Sequence, residues 1–270
     1  LEQVRIDFEA GLVNPFSGFE SINFRMAINN YQHTEFEPDG AAGTRFDNEA
    51  MEWRAELVHS PILSWAGSFG LQVNERDFAA EGDEAFVEPV NTQSAGIFWV
   101  AQQDFSSLGL LDKGLSIEAG IRFEQLSHRP SGEFANDGSC VQSGRLSDKD
   151  FDSFSGSLGA IIPLQGGLLE NARLRVAVDY ANRAPTSEEL FACGPHLASQ
   201  NFQIGDPSLN QEQALNFSAT LDYQNTESPL ETLFELTVYH IIFDDYIFQA
   251  AFDGNNNGLI EASGIFDNVP

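Results

Sequence analysis

Histidine and carboxylate side chains alternate along one short segment, which contains His33, Glu35 and Glu37. Residues two apart on a β-strand share a face, so an extended backbone would point all three side chains the same way. An imidazole beside carboxylates suits a zinc-like ion. A hydrated strand end is the competing interpretation, and the residues alone favour it. His33 and Glu35 are nevertheless candidate metal ligands.

Two further acidic segments could bind a cation. Glu84 lies in a run of carboxylates with Glu81, Asp83 and Glu88, and it is a third candidate metal ligand, although a solvated acidic loop is the simpler interpretation. A later segment places oxygen-bearing side chains as the start of a calcium loop does, at Asp253, Asn255 and Asn257. Position twelve of that loop is Gly264, where a bidentate glutamate is needed, so an Asn/Gly-rich turn is favoured over calcium binding.

Composition excludes several classes of function. The 270 residues include 13 basic and 41 acidic side chains, a formal charge of −28, which is the wrong sign for nucleic-acid binding. The sequence contains no G-x-S-x-G, no H-E-x-x-H and no phosphate-binding loop, so we expect neither an enzyme nor a required cofactor. It also lacks eighteen consecutive apolar residues, so no transmembrane helix is predicted.

Apolar and polar residues alternate with a period of two, which indicates half-buried strands. The clearest apolar series are Ile22, Phe24, Met26, Ile28; Ile117, Ala119, Ile121, Phe123; Leu174, Val176, Val178, Tyr180; and Leu215, Phe217, Ala219, Leu221, Tyr223. The opposite faces carry Glu118, Arg122, Arg173, Arg175, Asp179, Asn216 and Asp222. A soluble β-sandwich alternates in the same way, so this pattern does not choose between a sandwich and a membrane barrel.

Strand length and loop length favour the barrel. About ten strands are predicted, and two of them, 19–37 and 230–252, run for nearly twenty residues. The predicted connections alternate between short (14–18, 63–65, 108–114, 165–172, 225–229) and long (38–50, 82–92, 131–150, 192–210, 253 onward). Outer-membrane barrels show this asymmetry, with short periplasmic turns and long extracellular loops.

One stretch resembles a known family. Residues 182–191, Asn-Arg-Ala-Pro-Thr-Ser-Glu-Glu-Leu-Phe, are similar to the R-x-P-x-x-x-E-L-F strand end of TonB-dependent receptors. Residues 205–212, Gly-Asp-Pro-Ser-Leu-Asn-Gln-Glu, are similar to the G-N-P-x-L-x-x-E entry into the next strand, with Asp206 where asparagine is common. Three loops, at 31–48, 82–89 and 194–196, resemble the branch of the family that imports zinc.

The resemblance implies an all-β, antiparallel transmembrane barrel of twenty-two strands, of which residues 1–270 would supply about ten. The plug domain and the TonB-box would lie outside this chain. The implied function is active uptake of a scarce nutrient, a zinc ion or an iron chelate. The implied location is the outer membrane of a Gram-negative bacterium, with lipid and the TonB–ExbB–ExbD complex as partners. A passive porin-like or structural barrel, or a soluble β-sandwich binding module, is the alternative.

The same resemblance points to His196 as a further metal ligand in the loop that follows the Arg183 strand, although a loop histidine that only hydrogen-bonds its neighbours is the simpler interpretation. The two cysteines, Cys140 and Cys193, would fall in successive extracellular loops. A disulfide between them would suit an oxidising exterior, and two unpaired thiols are the alternative.

Overall fold

The computed structural model describes residues 1–36, 40–82, 85–105, 114–131, 147–164, 166–196, 201–225, 231–252 and 262–269. Ten strands form one antiparallel sheet in chain order: β1 (Glu2–Phe16), β2 (Phe19–Phe36), β3 (Ala42–Ile62), β4 (Trp65–Gly82), β5 (Val90–Phe105), β6 (Leu115–Pro130), β7 (Lys149–Pro163), β8 (Ala172–Arg183), β11 (Glu212–Asn225) and β12 (Thr232–Asp244). The predicted all-β architecture is confirmed. No helix in the described part of the chain is long and apolar enough to cross a membrane.

Four shorter strands make a second sheet, which the sequence did not predict. They are β9 (Cys193–His196), β10 (Asn201–Ile204), β13 (Tyr246–Phe252) and β14 (Ala262–Val269), arranged in the order β13-β14-β10-β9. A five-residue helix, α1 (Ser187–Phe191), precedes β9, and a 3-10 turn spans Gly167–Leu169. The predicted polar loop 192–210 therefore contains two strands.

The short turns lie at one end of the large sheet, as expected. Between β3 and β4 the two turn residues, Leu63 and Ser64, both have positive φ, at 52° and 73°. This is the backbone of a type I′ hairpin, whose twist matches that of the flanking strands. Gly18, in the turn between β1 and β2, has φ 89°.

Two predicted boundaries are wrong at the opposite end. Residues 42–50 were expected in a long loop, but they belong to β3 and pair with β2 and β4. The predicted strand 230–252 is divided at Asp245, whose φ of 53° ends β12 and starts β13 in the second sheet. The strand partners decide both boundaries. For this reason neither the polar composition of 42–50 nor the mostly apolar composition around residue 245 predicts where β3 begins or where β12 ends.

The register of the ten strands places the apolar residues on one continuous face, here called the apolar face. One row across this face, in which each residue pairs with the next on the neighbouring strand, contains Phe24, Ala55, Leu71, Ile97, Phe123 and Phe154. Large side chains on this face are exposed, with Ile97 at 60% and Leu158 at 53%. Apolar residues recur at every second position along these strands, for example Val4, Ile6, Phe8, Ala10 and Leu12 on β1, a span of nine residues that matches the roughly 9 to 11 residues of a tilted bilayer crossing.

The opposite face, here called the polar face, carries charged side chains that pair across strands. Arg175 contacts Asp222 at 2.8 Å and Glu235 at 3.2 Å, and Asn216 donates to Asp179 at 3.1 Å. The predicted polar set therefore shares one side of the sheet. Such exposed ion pairs contribute little stability individually, so their main effect is to make this face hydrophilic.

Candidate functional site

Helix α1 is packed on the polar face, at the end of the sheet opposite the short turns. Its N-cap is Thr186, whose hydroxyl accepts from the Glu189 amide at 3.3 Å, while the Glu189 carboxylate accepts from the Thr186 amide at 2.7 Å. This capping box satisfies two amides that the helix itself leaves unpaired. We call residues 184–196, 201–211 and β13 together the mouth shelf.

One arginine connects the two sequence motifs of the mouth shelf. The Arg183 guanidinium contacts Glu189 at 2.9 Å and Glu212 at 3.4 Å. Glu212 also accepts the backbone N–H of Ile247 at 3.0 Å, which ties the start of β13 to the same point. The arginine of the first motif and the terminal glutamate of the second are therefore parts of one cluster, which holds three chain segments together.

Two glycines allow backbones to approach closely within the mouth shelf. A Cβ at Gly205 would lie 2.6 Å from the carbonyl carbon of Leu190 and 2.7 Å from the amide nitrogens of Phe191 and Ala192. A Cβ at Gly194 would lie 2.7 Å from the carbonyl oxygen of Ala85. Since these neighbours are backbone atoms, no side-chain rotation would relieve the overlap, and glycine is required.

Asp206 performs the turn-forming role at the position where the family commonly has asparagine. Its carboxylate accepts from both the amide and the hydroxyl of Ser208, each at 2.7 Å. Its own amide donates to the Glu189 carbonyl at 2.9 Å. Either an aspartate or an asparagine oxygen can accept these bonds, so the departure from the family pattern preserves the turn.

His128 of β6 attaches the first residues of the mouth shelf to the ten-stranded sheet. Its side chain is 2% exposed, its Nε2 lies 3.0 Å from the Pro185 carbonyl oxygen, and its Nδ1 lies 2.9 Å from the Thr92 hydroxyl. A neutral ring satisfies both contacts, with Nε2 donating and Nδ1 accepting. Above Phe123 the apolar face of β6 turns polar at Gln125, so His128 lies outside the apolar band. Burial lowers the pKa of His128.

An apolar cluster lies between the mouth shelf and the ten-stranded sheet. It consists of Val87, Val90, Leu190, Phe191, Ala192, Leu209 and Ile247, with Phe78, Phe86 and Phe151 packed against it. Leu190 and Phe191, the last two residues of the first motif, are fully buried. Arg76 of β4 adds an ion pair with Glu188 at 3.4 Å. The mouth shelf is therefore a packed part of the structure, with its own core.

The predicted pair His33 and Glu35 is brought together near this end of β2. His33 Nε2 lies 3.6 Å from a Glu35 oxygen, and the His33 ring stacks on Phe46 with centroids 4.6 Å apart. The His33 side chain is 26% exposed, and its Nδ1 has no hydrogen-bond partner among the described residues. His33 is therefore partly covered by an aromatic ring, where a fully hydrated strand end was the competing expectation.

Other predicted site residues are not brought to His33 by any described contact. The backbone of His196 pairs with Asn201 in the second sheet, remote in sequence from β2. Glu84, Cys140 and the segment with Asp253, Asn255 and Asn257 lie outside the described residues. Among the residues that are described, no group of three or more His, Cys, Asp or Glu side chains could hold a metal ion, and no cysteine is free.

Sequence reasoning missed His128 and Arg76, two residues of the large sheet that contact the mouth shelf through polar groups. Both are single polar residues on the polar side of alternating strands, and nothing in their spacing distinguishes them from their neighbours. Only the strand register places Arg76, Thr92 and His128 in one row beneath α1.

A family model described as "TonB dependent receptor-like, beta-barrel" matches residues 4–269. The chain belongs to this family. Its apolar face therefore meets the lipid of a Gram-negative outer membrane, and its polar face lines the lumen. The short turns face the periplasm, and the mouth shelf lies at the extracellular end. The family consists of transport receptors, so the expectation of no enzyme is confirmed.

Solved structures of receptors are similar in fold. The copper transporter OprC matches with a TM-score of 0.74 at 12% identity, over 99% of this chain and 41% of that one. The Serratia marcescens hemophore receptor HasR, solved as a double mutant with its hemophore HasA and heme, matches with a TM-score of 0.68 at 17% identity, over 98% and 43%. The siderophore receptor PirA from Pseudomonas aeruginosa gives 0.51 at 10%, over 99% and 57%. The chain thus spans less than two thirds of each of these proteins.

Proposed function

We propose that this TonB-dependent receptor chain is part of the barrel wall of an active uptake receptor, whose plug domain lies outside residues 1–270. The receptor would bind a scarce nutrient at its extracellular mouth and admit it when the TonB–ExbB–ExbD complex moves the plug. The observation that carries the proposal is the family match over 4–269. Glu118, Arg122, Arg173 and their neighbours on the polar face would then contact the plug or the nutrient.

For the nutrient, we propose a metal ion, zinc before an iron chelate. His33 supports this choice, because its Nδ1 lacks a hydrogen-bond partner among the described residues and its Nε2 lies beside Glu35. Neutral imidazole and carboxylate are both good zinc ligands. His196 and Glu84 are separate candidate ligands in the extracellular loops. Two similar folds belong to a copper transporter and a receptor solved with heme, which agrees with metal cargo.

Calorimetry on the complete receptor in detergent tests the metal. Zinc would be titrated into wild type, His33→Ala, Glu35→Gln, Glu84→Gln and His196→Ala. His240→Ala is the matched control, because His240 lies on the apolar face of β12 and pairs with Phe217. We expect saturable binding in wild type and control and weaker binding in the other variants. If neither the wild type nor any variant binds zinc, the zinc proposal is wrong, and iron chelates become the next cargo to test.

Energy dependence separates active uptake from a passive porin-like barrel. We expect cells expressing the complete receptor to lose uptake of the cargo when TonB is deleted or a protonophore is added. Uptake that continues at the same rate without TonB would favour the passive barrel.

We also propose that Cys140 and Cys193 form the one disulfide of the chain. Because both would face the oxidising exterior, the pair would connect two extracellular loops. Labelling of the denatured, unreduced protein with a thiol reagent should give no labelled cysteine, and two after reduction. Two labelled cysteines before reduction would contradict the pairing.

A further inference from the structure

A deep apolar groove crosses the apolar face. Its volume is about 640 Å³, and its walls include Leu57, Phe69, Ile97, Trp99, Ile121 and Phe123. All six side chains lie on the apolar face, which meets the membrane. A volume of this size is typical of sites that enclose a bound molecule. The groove opens toward lipid, so its occupant must come from within the bilayer.

Small residues give the groove its depth. Ala55 lies in the row between Phe24 and Leu71, where the neighbouring strands carry large side chains. Behind the groove, the Phe98 ring covers Gly70 on the lumen side, and a Cβ at Gly70 would collide with that ring. The Arg54 guanidinium lies over the Phe98 ring, 4.2 Å from its centroid. The sheet is therefore closed behind the groove.

At the periplasmic end of the groove, none of the described lining residues places a charged side chain on the apolar face; the lining residues Glu56 and Arg122 belong by parity to the polar face. Phe16, beside the first periplasmic turn, lines this end of the groove. Trp99 donates its indole N–H to His59 Nε2 at 3.2 Å, and His59 Nδ1 lies 2.9 Å from the Ser60 carbonyl oxygen. These contacts satisfy a neutral imidazole, and Trp65 lies beside Trp99 with ring centroids 6.1 Å apart. Indole rings of this kind are found at the level of lipid headgroups.

Carboxylates lie above the groove at its extracellular end. Glu75 is two residues beyond Val73 on β4, and Asp152 is two residues beyond Phe154 on β7, both on the same side as the groove. They accept hydrogen bonds from Gln93 and Gln125. Arg129 lies on the same side and pairs with Asp148 and Asp150, so carboxylates outnumber cations among the described side chains at this end. This excess of negative charge repels the phosphates of an outer-leaflet lipid, whereas the uncharged lower end accepts a zwitterionic headgroup.

We propose that this groove binds one acyl chain of a zwitterionic phospholipid from the periplasmic leaflet. The apolar lining is continuous with the lipid-facing surface, so hydrocarbon can enter it from the bilayer without crossing a polar barrier. This site lies on the outside of the barrel. It is independent of the cargo and of the energy source proposed above.

Native mass spectrometry of the complete receptor, extracted from outer membranes in a mild detergent, tests the site. Ala55→Phe would fill the groove. Ala219→Phe is the matched control, because Ala219 is an exposed residue of the apolar face on β11, between Val176 and Val238. We expect wild type and control to retain one phospholipid per receptor, and Ala55→Phe to retain at least fivefold less. No retained phospholipid in wild type, equal retention in all three proteins, or retention of lipid A would each overturn the proposal.

Fluorescence provides a measurement that needs no substitution in the groove. In a complete receptor whose tryptophans outside residues 1–270 have been replaced by phenylalanine, Trp53→Phe and Trp65→Phe leave Trp99 as the remaining tryptophan, since the chain has three. We expect brominated-chain phosphatidylcholine to quench Trp99 at a lower mole fraction than it quenches Trp53 in the Trp65→Phe, Trp99→Phe protein. Trp53 is on the apolar face of β3, outside the groove lining. Equal quenching curves for the two residues would contradict a bound chain.

Discussion

Glu189 has two structural roles in the mouth shelf, and its ion pair can be removed while its bond to the Thr186 amide is kept. It caps α1 through the Thr186 amide and pairs with Arg183. A glutamine at this position can still accept from the amide, but it loses the charge. The same side chain thus connects local helix formation with the attachment of the mouth shelf to β8.

Glu189→Gln should destabilise the mouth shelf by about 1 kcal/mol, because the Arg183 side chain is 42% exposed and solvent weakens the ion pair. Glu189→Ala should cost more, typically about 1 kcal/mol further, since the carboxylate that accepts from the Thr186 amide is lost as well, while the Thr186 hydroxyl still accepts from the amide of residue 189. Hydrogen exchange of the amides in 187–192 measures the opening free energy. Equal effects of the two substitutions would show that the capping bond contributes nothing.

His128 should make the attachment of the mouth shelf depend on pH. Burial lowers the pKa of His128 below its usual value of about 6.5, so the folded state favours the neutral ring. The stability that this ring contributes is present above that value and is lost as the pH falls through the lowered pKa. Glu188, Arg129 and Arg76 also act on the ring.

Hydrogen exchange of 187–192 at pH 7.5 and pH 5.5 tests this dependence, with rates corrected for the intrinsic effect of pH. His128→Gln is the control, because glutamine can donate to the Pro185 carbonyl but does not titrate in this range. We expect less protection at pH 5.5 in wild type and no such difference in His128→Gln. Equal protection of the wild type at both pH values would show that the pKa of His128 is the same in the closed and the open state, which contradicts this prediction.

At the scale of elements, the two motifs are recognisable in sequence because their spacing is fixed by contacts between them. Arg183, Glu189 and Glu212 meet, and Gly205 fits against the end of α1. Asp206 can replace asparagine because only an accepting oxygen is needed there. The family pattern therefore records the packing of the mouth shelf.

Gly205→Ala should destabilise the mouth shelf by about 1–3 kcal/mol, the usual cost of forcing an extra carbon into a packed site. The clash involves backbone atoms of Leu190, Phe191 and Ala192, so α1 would have to move. Limited proteolysis should cut within 184–211 faster in this variant. Gly159→Ala is the control, because its nearest atoms are at 3.6 Å or more. Equal cleavage of both variants would argue against the close approach.

At the scale of the whole molecule, the large sheet separates two environments. Its apolar face is continuous across ten strands, while the polar face holds the ion pairs and the mouth shelf. Within the described residues, β1 and β12 each pair on one side only, which leaves two edges. An open edge is not tolerated in lipid, so these edges need further strands to close the barrel.

A new positive charge should lower the free energy of unfolding more on the apolar face than on the polar face. Ile97→Arg places a cation on the apolar face near the middle of the band and should cost about 2–4 kcal/mol. Gln102→Arg is the control on the polar face of the same strand, where Asp104 lies within reach and accepts from Gln102 at 2.9 Å. Refolding into lipid vesicles under urea measures both free energies. A cost for Gln102→Arg equal to that of Ile97→Arg would contradict the assignment of the faces.

The sequence by itself predicted the existence of the long strands of the large sheet and the alternation of short and long connections. It determined the two faces of these strands as well, because side-chain direction along a strand depends only on residue parity. It also identified the family, since the spacing of Arg183, Pro185 and Glu189 is local. Only the tertiary structure decided where β3 begins, that 230–252 divides at Asp245, and that His128 and Arg76 hold the mouth shelf. These depend on register between strands far apart in the chain, which periodicity within one segment does not encode.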